Sequence, residues 1–399
     1  MSIFFHIDVN SAFLSWTALE MLEKGEEIDI RTSPSIVGGD TNTRHGIVLA
    51  KSIPAKAFGI QTAEPVVNAF RKCPTLTMVA PNHAMYQERS RIFIEYLTTI
   101  CPDIEQVSID ECYMDYTPIS SQYPSAEAAA AFIKDSVYER FGFTVNVGIS
   151  DRKVLAKMAS DFKKPNLVHT LYSHEIQKKL WPLPVSSLFS CGHSSAETLH
   201  KLGILTIGDL AHTDRTILQA HLKSHGLTLW EYANGIDSAT VTPEPVKMKG
   251  IGNSTTLSQD AVTKEEAYHT LLQLAESVGR RVRASHELAG MVSTEIKYAS
   301  FQSVSHQTTL PQPTASTDII YRTACQLFDE LWNGTPIRLL GIRTSKLVPD
   351  TEPQQISLFD YQTQTPQNEK HQKLDSALDS LRNKYGKDII KRGSLFDSP

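Results

Sequence analysis

Two short apolar stretches of this sequence are broken by carboxylates. Ile3-Phe4-Phe5-His6-Ile7 runs straight into Asp8, and about a hundred residues later Ser108-Ile109-Asp110-Glu111 interrupts a second strand-like run. Apolar runs this short suit buried strands. Three acids presented from two adjacent strands of one sheet could hold a pair of divalent cations. Two such ions about 3.5–4 Å apart activate an attacking oxygen and stabilise the leaving oxygen of a phosphoryl transfer. Mg²⁺ is a hard ion that takes one or two carboxylates plus substrate phosphates, so a small acid count suffices. The bland alternative is an Asp-Glu pair on a solvated turn. Successive strand residues also point to opposite faces, so Asp110 and Glu111 share a site only if a turn or bulge re-aims one of them.

A length of 399 residues predicts more than one domain. The apolar and charged fractions, 41% and 21%, are those of globular proteins. No run of 18 apolar residues exists, so no transmembrane helix and no membrane partner are expected. The N-terminal apolar stretch contains Asp8 and lacks a basic flank, which argues against a signal peptide. Five cysteines, at 73, 101, 112, 191 and 325, show no CxxC spacing. They read as free or buried thiols of a reducing compartment, and a cytoplasmic monomer is expected. The net charge of −5 argues weakly against nucleic acid, but a binding footprint is local. Basic residues do cluster, at Arg152, Lys153, Lys157, Lys163, Lys164 and again at Arg280, Arg281, Arg283.

Strand-like segments at 3–9, 46–52, 106–116 and 144–150 alternate with helical ones at 12–23 and 125–140. This predicts an α+β sheet domain ending near residue 168. From Asp151 to Lys163, Leu155, Met158, Ala159 and Phe162 form an amphipathic stripe. Lys153 and Lys157 fall on the other face, which alone reads as solvated. Residues 169–235 read as short helices. There Gly192 precedes a helix at 196–202, and Gly203 separates it from another at 207–211. A helix–hairpin–helix turn offers backbone N–H groups to a phosphate.

Residues 236–247 suit a linker. From 248 to 348 a small α+β unit is expected, with a capping box at Thr263 and Glu266. Its helix stripe is Ala267, Leu271, Leu274, Ala275, Val278 and Val282, and strands are expected near 291–299, 305–310 and 337–346. The tail, 349–399, is polar except for Gln355-Ile356-Ser357-Leu358-Phe359 and a helix at 370–385 stopped by Gly386. An apolar island in a polar tail reads as a docking peptide, or as a segment that packs back on its own domain.

In order along 1–348, these features resemble Y-family DNA polymerases, the translesion class, with its bacterial polymerase IV and polymerase V branches. Asp8-Val9-Asn10-Ser11-Ala12-Phe13 is similar to the first catalytic motif, and its Asp-Val-Asn start is similar to the polymerase V branch. Pro54-Ala55-Lys56-Ala57-Phe58-Gly59-Ile60 resembles the fingers motif, and Ser108-Ile109-Asp110-Glu111-Cys112 the second catalytic motif. Asn146-Val147-Gly148-Ile149-Ser150, with Lys153, Ala156-Lys157 and Lys164-Pro165-Asn166, resembles the third. The chain departs from the polymerase IV pattern at Ile53 and Lys56, where that branch has Tyr and Arg, at Ala12, and at Ser190 in place of a hairpin glycine.

The resemblance implies a multidomain α+β right hand. It has a ferredoxin-like palm, small fingers (about 12–78 within 1–168), a helix–hairpin–helix thumb (169–235) and an α+β little finger (248–348). It implies that Asp8, Asp110, Glu111 and the Val9 carbonyl hold two Mg²⁺ ions, with Glu111 nearest the primer 3′-hydroxyl. Phe13 falls at the steric-gate position, and Lys56 and Lys164 at positions that contact the incoming dNTP. Gly192, Gly203, Arg281 and Arg283 would meet primer–template DNA, and Gln355, Leu358 and Phe359 a bacterial sliding clamp. Two other classes compete: a palm-fold nucleotide cyclase and a catalytically silent DNA-binding scaffold.

Overall fold

The computed structural model describes residues 2–39, 46–244, 247–352, 365–386, 389–390 and 393. The chain divides into two compact units, Met1–Asp40 with Gly46–Pro245, and Val246–Pro399.

In the first unit, β1 (Phe4–Val9) leads into α1 (Ala12–Glu23). An insertion follows, built from β2 (Ser35–Gly38), β3 (Val48–Lys51), α2 (Ile53–Ala57), α3 (Val66–Lys72) and β4 (Thr77–Val79). These strands form their own sheet, in the order β3-β2-β4. The chain returns through α4 (His83–Ile100) to β5 (Ile104–Gln106), β6 (Glu111–Asp115), α5 (Ala126–Phe141), β7 (Val145–Ser150), α6 (Lys153–Ser160) and β8 (Val168–Thr170). The main sheet has the order β5-β6-β1-β7-β8. Its first four strands pair antiparallel throughout. They make a βαββαβ ferredoxin-like unit, to which β8 adds in parallel beside β7. The expected boundary at 168 therefore cuts a strand of this sheet.

β1 is buried on both faces because its alternating side chains serve two layers. Phe5, Ile7 and Val9 join Phe93, Leu97, Ile133 and Val137 of α4 and α5 in one core. Phe4 packs with Tyr113 and Ala156 of α6 on the opposite face, the face of His6 and Asp8. α6 lies close on β7. A Cβ added to Gly148 would stand 2.0 Å from the Ala156 carbonyl oxygen, so only glycine admits the helix here.

The expected strand over 106–116 is instead two strands joined by a tight turn. The Val107 and Ser108 N–H groups both return to the Glu111 carbonyl, at 3.0 and 3.2 Å. A continuous strand would have sent Asp110 and Glu111 to opposite faces. The turn removes that conflict.

After β8 come α7 (Ile176–Lys179), α8 (His193–Lys201), α9 (Ile207–His212) and α10 (Arg215–Ala233). Their core includes Val154, Leu155 and Met158 of α6, so this helical segment shares a core with the sheet's own helix. Gly203 has φ +78° and stops α8. Its N–H bonds the His200 carbonyl at 3.0 Å, and the Ile204 N–H bonds that of Leu199 at 3.0 Å. This is the Schellman pattern. Ser190 occupies the left-handed region, φ +69°, where the family pattern has glycine. Residues after α10 run along the first unit. Asp237 accepts from the Val154 N–H at 2.9 Å, and Lys153 Nζ donates to the Thr240 carbonyl at 3.1 Å.

The second unit is a four-stranded antiparallel sheet of order β11-β10-β12-β9. Its elements are β9 (Gly250–Ala261), α11 (Lys264–Ala284), β10 (Glu287–Tyr298), β11 (Ser303–Thr314), α12 (Thr317–Leu331) and β12 (Ile337–Pro349). The Thr263–Glu266 capping box starts α11, and its whole expected stripe is buried. α12 was not anticipated, although Ile320, Ala324, Leu327 and Phe328 form a helical stripe that packs in the same core. The opposite face of the sheet is an open, polar cleft of about 740 Å³, lined by Asn253, Ser293, Glu295, Gln307 and Arg343 among others.

A tail helix, α13 (Thr365–Tyr385), packs on this unit. Arg283 binds it with Nε 2.6 Å from Asp379 and Nη1 3.3 Å from Asp375, and also donates to the Ala315 carbonyl at 2.7 Å.

Candidate active site

β1 and β6 pair so that Asp8 lies directly opposite Glu111. Asp110 stands one residue earlier, in the turn, with its carbonyl accepting from the Val9 N–H at 3.0 Å. Ser108 Oγ donates to Asp110 Oδ1 at 2.7 Å and fixes that carboxylate. The three acids named from the sequence therefore meet at the ends of two neighbouring strands.

Two lysines close on them. Lys157 Nζ lies 2.5 Å from Glu111 Oε1, 3.4 Å from Asp8 Oδ2 and 3.3 Å from Asp161 Oδ2. Lys164 Nζ lies 3.0 Å from Asp8 Oδ1 and 2.9 Å from Asp161 Oδ1. Lys153 bonds Glu105 at 2.6 Å and sits 4.6 Å from the Tyr113 ring centroid. Lys153 and Lys157 are both buried, which corrects the solvated-face reading. α6 is covered on both sides, and its lysines are held by carboxylates.

Burial raises the Asp8 carboxyl from its ordinary 3.8 to about 6, against the pull of Lys164 and Lys157. Asp110 is also raised, by burial first and then by the charge of Asp8. Lys157 is raised, because bonds and charges from Glu111, Asp8 and Asp161 outweigh its burial. His6, on the same face, is held well below its ordinary value by burial and by the two lysines, so its ring is neutral. Its Nδ1 bonds Ser160 Oγ at 2.8 Å.

These residues suit a hard cation. The donors are carboxylate oxygens with the Val9 carbonyl beside them, and burial disfavours the bare charge on Asp8 even with Lys157 and Lys164 on it. As the side chains stand, no group of three His, Cys, Asp or Glu is gathered for a metal among the described residues, and Lys157 bridges Asp8 and Glu111.

A pH dependence follows. A raised folded pKa stabilises below the unfolded value and costs stability as pH rises through the folded one. Without divalent cations, Asp8→Asn should therefore gain melting temperature on the parent between about pH 4 and pH 6. Adding Mg²⁺ should shrink that gap. Melting curves at several pH values check this, and a gap that ignores pH would refute it.

A cavity of about 300 Å³ opens beside the acids, lined by Asn10, Ser11, Lys51, Lys56, Lys164 and Arg31 among others. It brings together Lys56 and Lys164, which lie far apart in sequence. Lys51 was missed: its pKa is lowered by burial and by the nearby Lys56 charge, which marks a cluster of cations. Its signal was its place at the end of β3, one residue before the Ser52 cap of α2. Arg31 is spent on Asp29 and the Gly142 carbonyl. Phe13 starts α1 and stacks on Tyr86, ring centroids 4.3 Å apart.

The other site residues are less uniform. Gly192 caps α8, whose first turn has no side-chain cap, while the Gly203 amide is consumed by the helix stop and offers no donor. Arg281 is exposed and donates to the Gly252 carbonyl at 2.7 Å. Arg283 is tied to α13, its mostly buried guanidinium shared by Asp375 and Asp379. The sequence pointed to no residue of the polar cleft on the second sheet. Gln355, Leu358 and Phe359 lie outside the described residues. The five cysteines are free, and no described helix is long and apolar enough to cross a membrane.

Comparison with known proteins matches residues 7–161 to the impB/mucB/samB family and residues 248–358 to the C-terminal domain of that family. The chain belongs to the impB/mucB/samB family. Within it, a DNA polymerase IV of Clostridium acetobutylicum is 45% identical over 99% of this chain and 98% of its own length. A DNA polymerase IV of Alkaliphilus oremlandii is 38% identical over 99% of each chain. DNA polymerase IV 1 of Bacillus subtilis is 36% identical over 99% of this chain and 93% of its own. Among solved structures, a Y-family DNA polymerase chimera superposes with a TM-score of 0.76 at 22% identity, covering 87% of this chain and 99% of that one. The multidomain α+β polymerase fold expected from the motifs is thus the fold found.

Proposed function

We propose that this chain extends a primer 3′-hydroxyl with dNTPs by two-metal nucleotidyl transfer, at the site formed by Asp8, Asp110 and Glu111. The chain is a DNA-directed DNA polymerase of the translesion type, similar over its whole length to proteins of that activity. The observation that carries the site assignment is the strand pairing of Asp8 with Glu111, beside a cavity ringed by lysines. The cyclase and silent-scaffold readings gain no support, and none of the three acids is lost.

Asp8, Asp110, Glu111 and the Val9 carbonyl are the groups that would hold two Mg²⁺ ions. When bound, such a pair activates the attacking hydroxyl and stabilises the leaving oxygen. Phosphoryl transfer is otherwise mostly positioning and electrostatics. Lys56 and Lys164, with Lys51 behind them, neutralise the triphosphate as charge builds on it. The α1 N-terminus has no side-chain cap and contributes Ser11 and Leu14 to the same cavity, so its first N–H groups are available to the phosphates in this reading. Phe13 bars the ribose 2′-hydroxyl. Residues 1–168 serve as palm and fingers, 169–235 as thumb and 248–348 as little finger. The uncapped α8 turn after Gly192 meets the DNA backbone, a contact that adds affinity without sequence preference. Primer extension with Mg²⁺ and all four dNTPs tests the reading: template-directed products are expected, and their absence would overturn it.

The segment Gln355–Phe359 supplies a sliding-clamp contact in this reading. Leu358 and Phe359 are the apolar anchors expected of a short peptide interface, and tethering raises the effective concentration of the polymerase at the primer. Replacing both by Ala should abolish clamp-stimulated synthesis and spare distributive synthesis on a bare primer. Full stimulation of the double variant would overturn this assignment.

A further inference from the structure

Lys164 sits in a stretch between α6 and β8 that has no regular structure, yet side-chain amides fix the backbone on both sides of it. Asn10, two residues after Asp8, is buried. Its Oδ1 accepts from Thr144 Oγ1 and from the Asn166 N–H, each at 2.9 Å. Its Nδ2 donates to Asn146 Oδ1 at 3.2 Å. Asn146, on β7, is fully buried and uses every hydrogen-bonding position it has. Its Oδ1 also accepts from the Leu167 N–H at 3.2 Å, and its Nδ2 donates to the carbonyls of Ser160 at 3.1 Å and Lys163 at 2.7 Å. The backbone is thus gripped at residue 163, just before Lys164, and at 166 and 167, just after Pro165.

We infer that the Asn10–Asn146 amide pair is a positioning device for Lys164, fixing where its ammonium meets the triphosphate. The inference rests on the proposed role of Lys164. A buried polar network whose members are all satisfied rigidifies what it holds, and a broken one leaves costly orphans. Asn146 stands outside the lining of the cavity and is fully buried, so it reaches the site only through the loop and through its partner Asn10. Asn166 adopts φ +59°, a left-handed conformation that Asn tolerates better than most residues. Its N–H thereby reaches Asn10. A flexible lysine on an unsupported loop would lose this registration, and misplacement by about 1 Å can cost roughly a hundredfold in rate.

The test is a double-variant cycle in single-nucleotide insertion. Lys164→Ala should raise the KM for dNTP. Asn146→Ala should lower kcat/KM by roughly ten- to a hundredfold, with primer–template affinity unchanged. The Asn146→Ala/Lys164→Ala protein should be no worse than Lys164→Ala alone, because the amide works through that lysine. Thr144→Val removes a single bond to Asn10 at the cavity wall; it should move KM in the same direction by less, should add nothing once Lys164 is replaced by Ala, and keeps the test alive if Asn146→Ala fails to fold. Losses that multiply in the double variant would overturn the inference. So would an Asn146→Ala or Thr144→Val protein with lowered melting temperature and parental kinetics. A kinetically silent Lys164→Ala would overturn the triphosphate role itself, a separate failure.

Discussion

Asp110→Ala and Glu111→Ala should each lower primer extension by about 10³-fold or more, while DNA binding stays near the parent's. The acids lie at strand ends, and removing one takes away a ligand of the two-metal clamp, not grip on the duplex. The electrostatics sharpen the expectation for Asp110. Burial and the Asp8 charge disfavour its ionised form while the Ser108 hydroxyl favours it, so the opposed effects leave Asp110→Ala melting close to the parent in the metal-free protein. Glu111→Ala differs, because it strips Lys157 of its shortest partner and leaves Asp8 and Asp161 to hold that ammonium. A loss of activity at unchanged melting temperature therefore points most directly to catalysis in the Asp110 variant. Near-normal extension by Asp110→Ala would end the assignment.

Much of this site was legible in the sequence because strand ends are local. Asp8 closes an apolar run whose alternation already shows which residues share its face. The meeting of Asp110 with Glu111 was legible only as a conflict: two successive acids could not face one site on a regular strand. The turn at 107–110 resolves it, but it is marked by neither glycine nor proline. Its carbonyl acceptor, on Glu111, is visible only in three dimensions. Lys153 and Lys157 show the opposite failure. A polar face on an amphipathic helix normally meets water, and nothing local reveals that α6 is covered on that face by acids from β1, β5 and β6.

The same limit explains the second unit. The α11 helix was readable from its capping box and stripe, both encoded within a few turns. Arg283 lies in the last turn of that helix, beside Arg280 and Arg281, and looks like part of a basic patch. Its partners Asp375 and Asp379 come about ninety residues later, on a helix whose docking no local pattern discloses. The Asn10–Asn146 pair is likewise invisible in sequence, since amides carry no charge and follow no periodicity. Motif resemblance supplied Lys56 and Lys164 but passed over Lys51, because the cavity, not the motif, gathers it.

Phe13→Ala should admit ribonucleotides roughly a hundredfold better relative to dNTPs, with a modest loss of dNTP use. Phe13 lies in the first turn of α1, next to Ser11 and Leu14 of the cavity lining. Its ring stacks on Tyr86 with an interplanar angle of 9°, and meets His83 edge-on at 6.0 Å. A gate must not swing, and this stack pins the ring. Exclusion by a fixed ring is repulsion aimed at the wrong sugar, so it needs no attraction to the right one. The competing view makes Phe13 a core residue. A buried Phe truncated to Ala costs about 3–5 kcal/mol, and Phe13 is only half-buried, so that cost should be smaller here. Measuring ribonucleotide and deoxyribonucleotide insertion beside a melting curve separates the views. A core residue lowers the melting temperature and leaves the ratio of the two sugars alone. A gate moves the ratio, and Tyr86→Ala, which keeps the ring but removes its support, should move it part of the way.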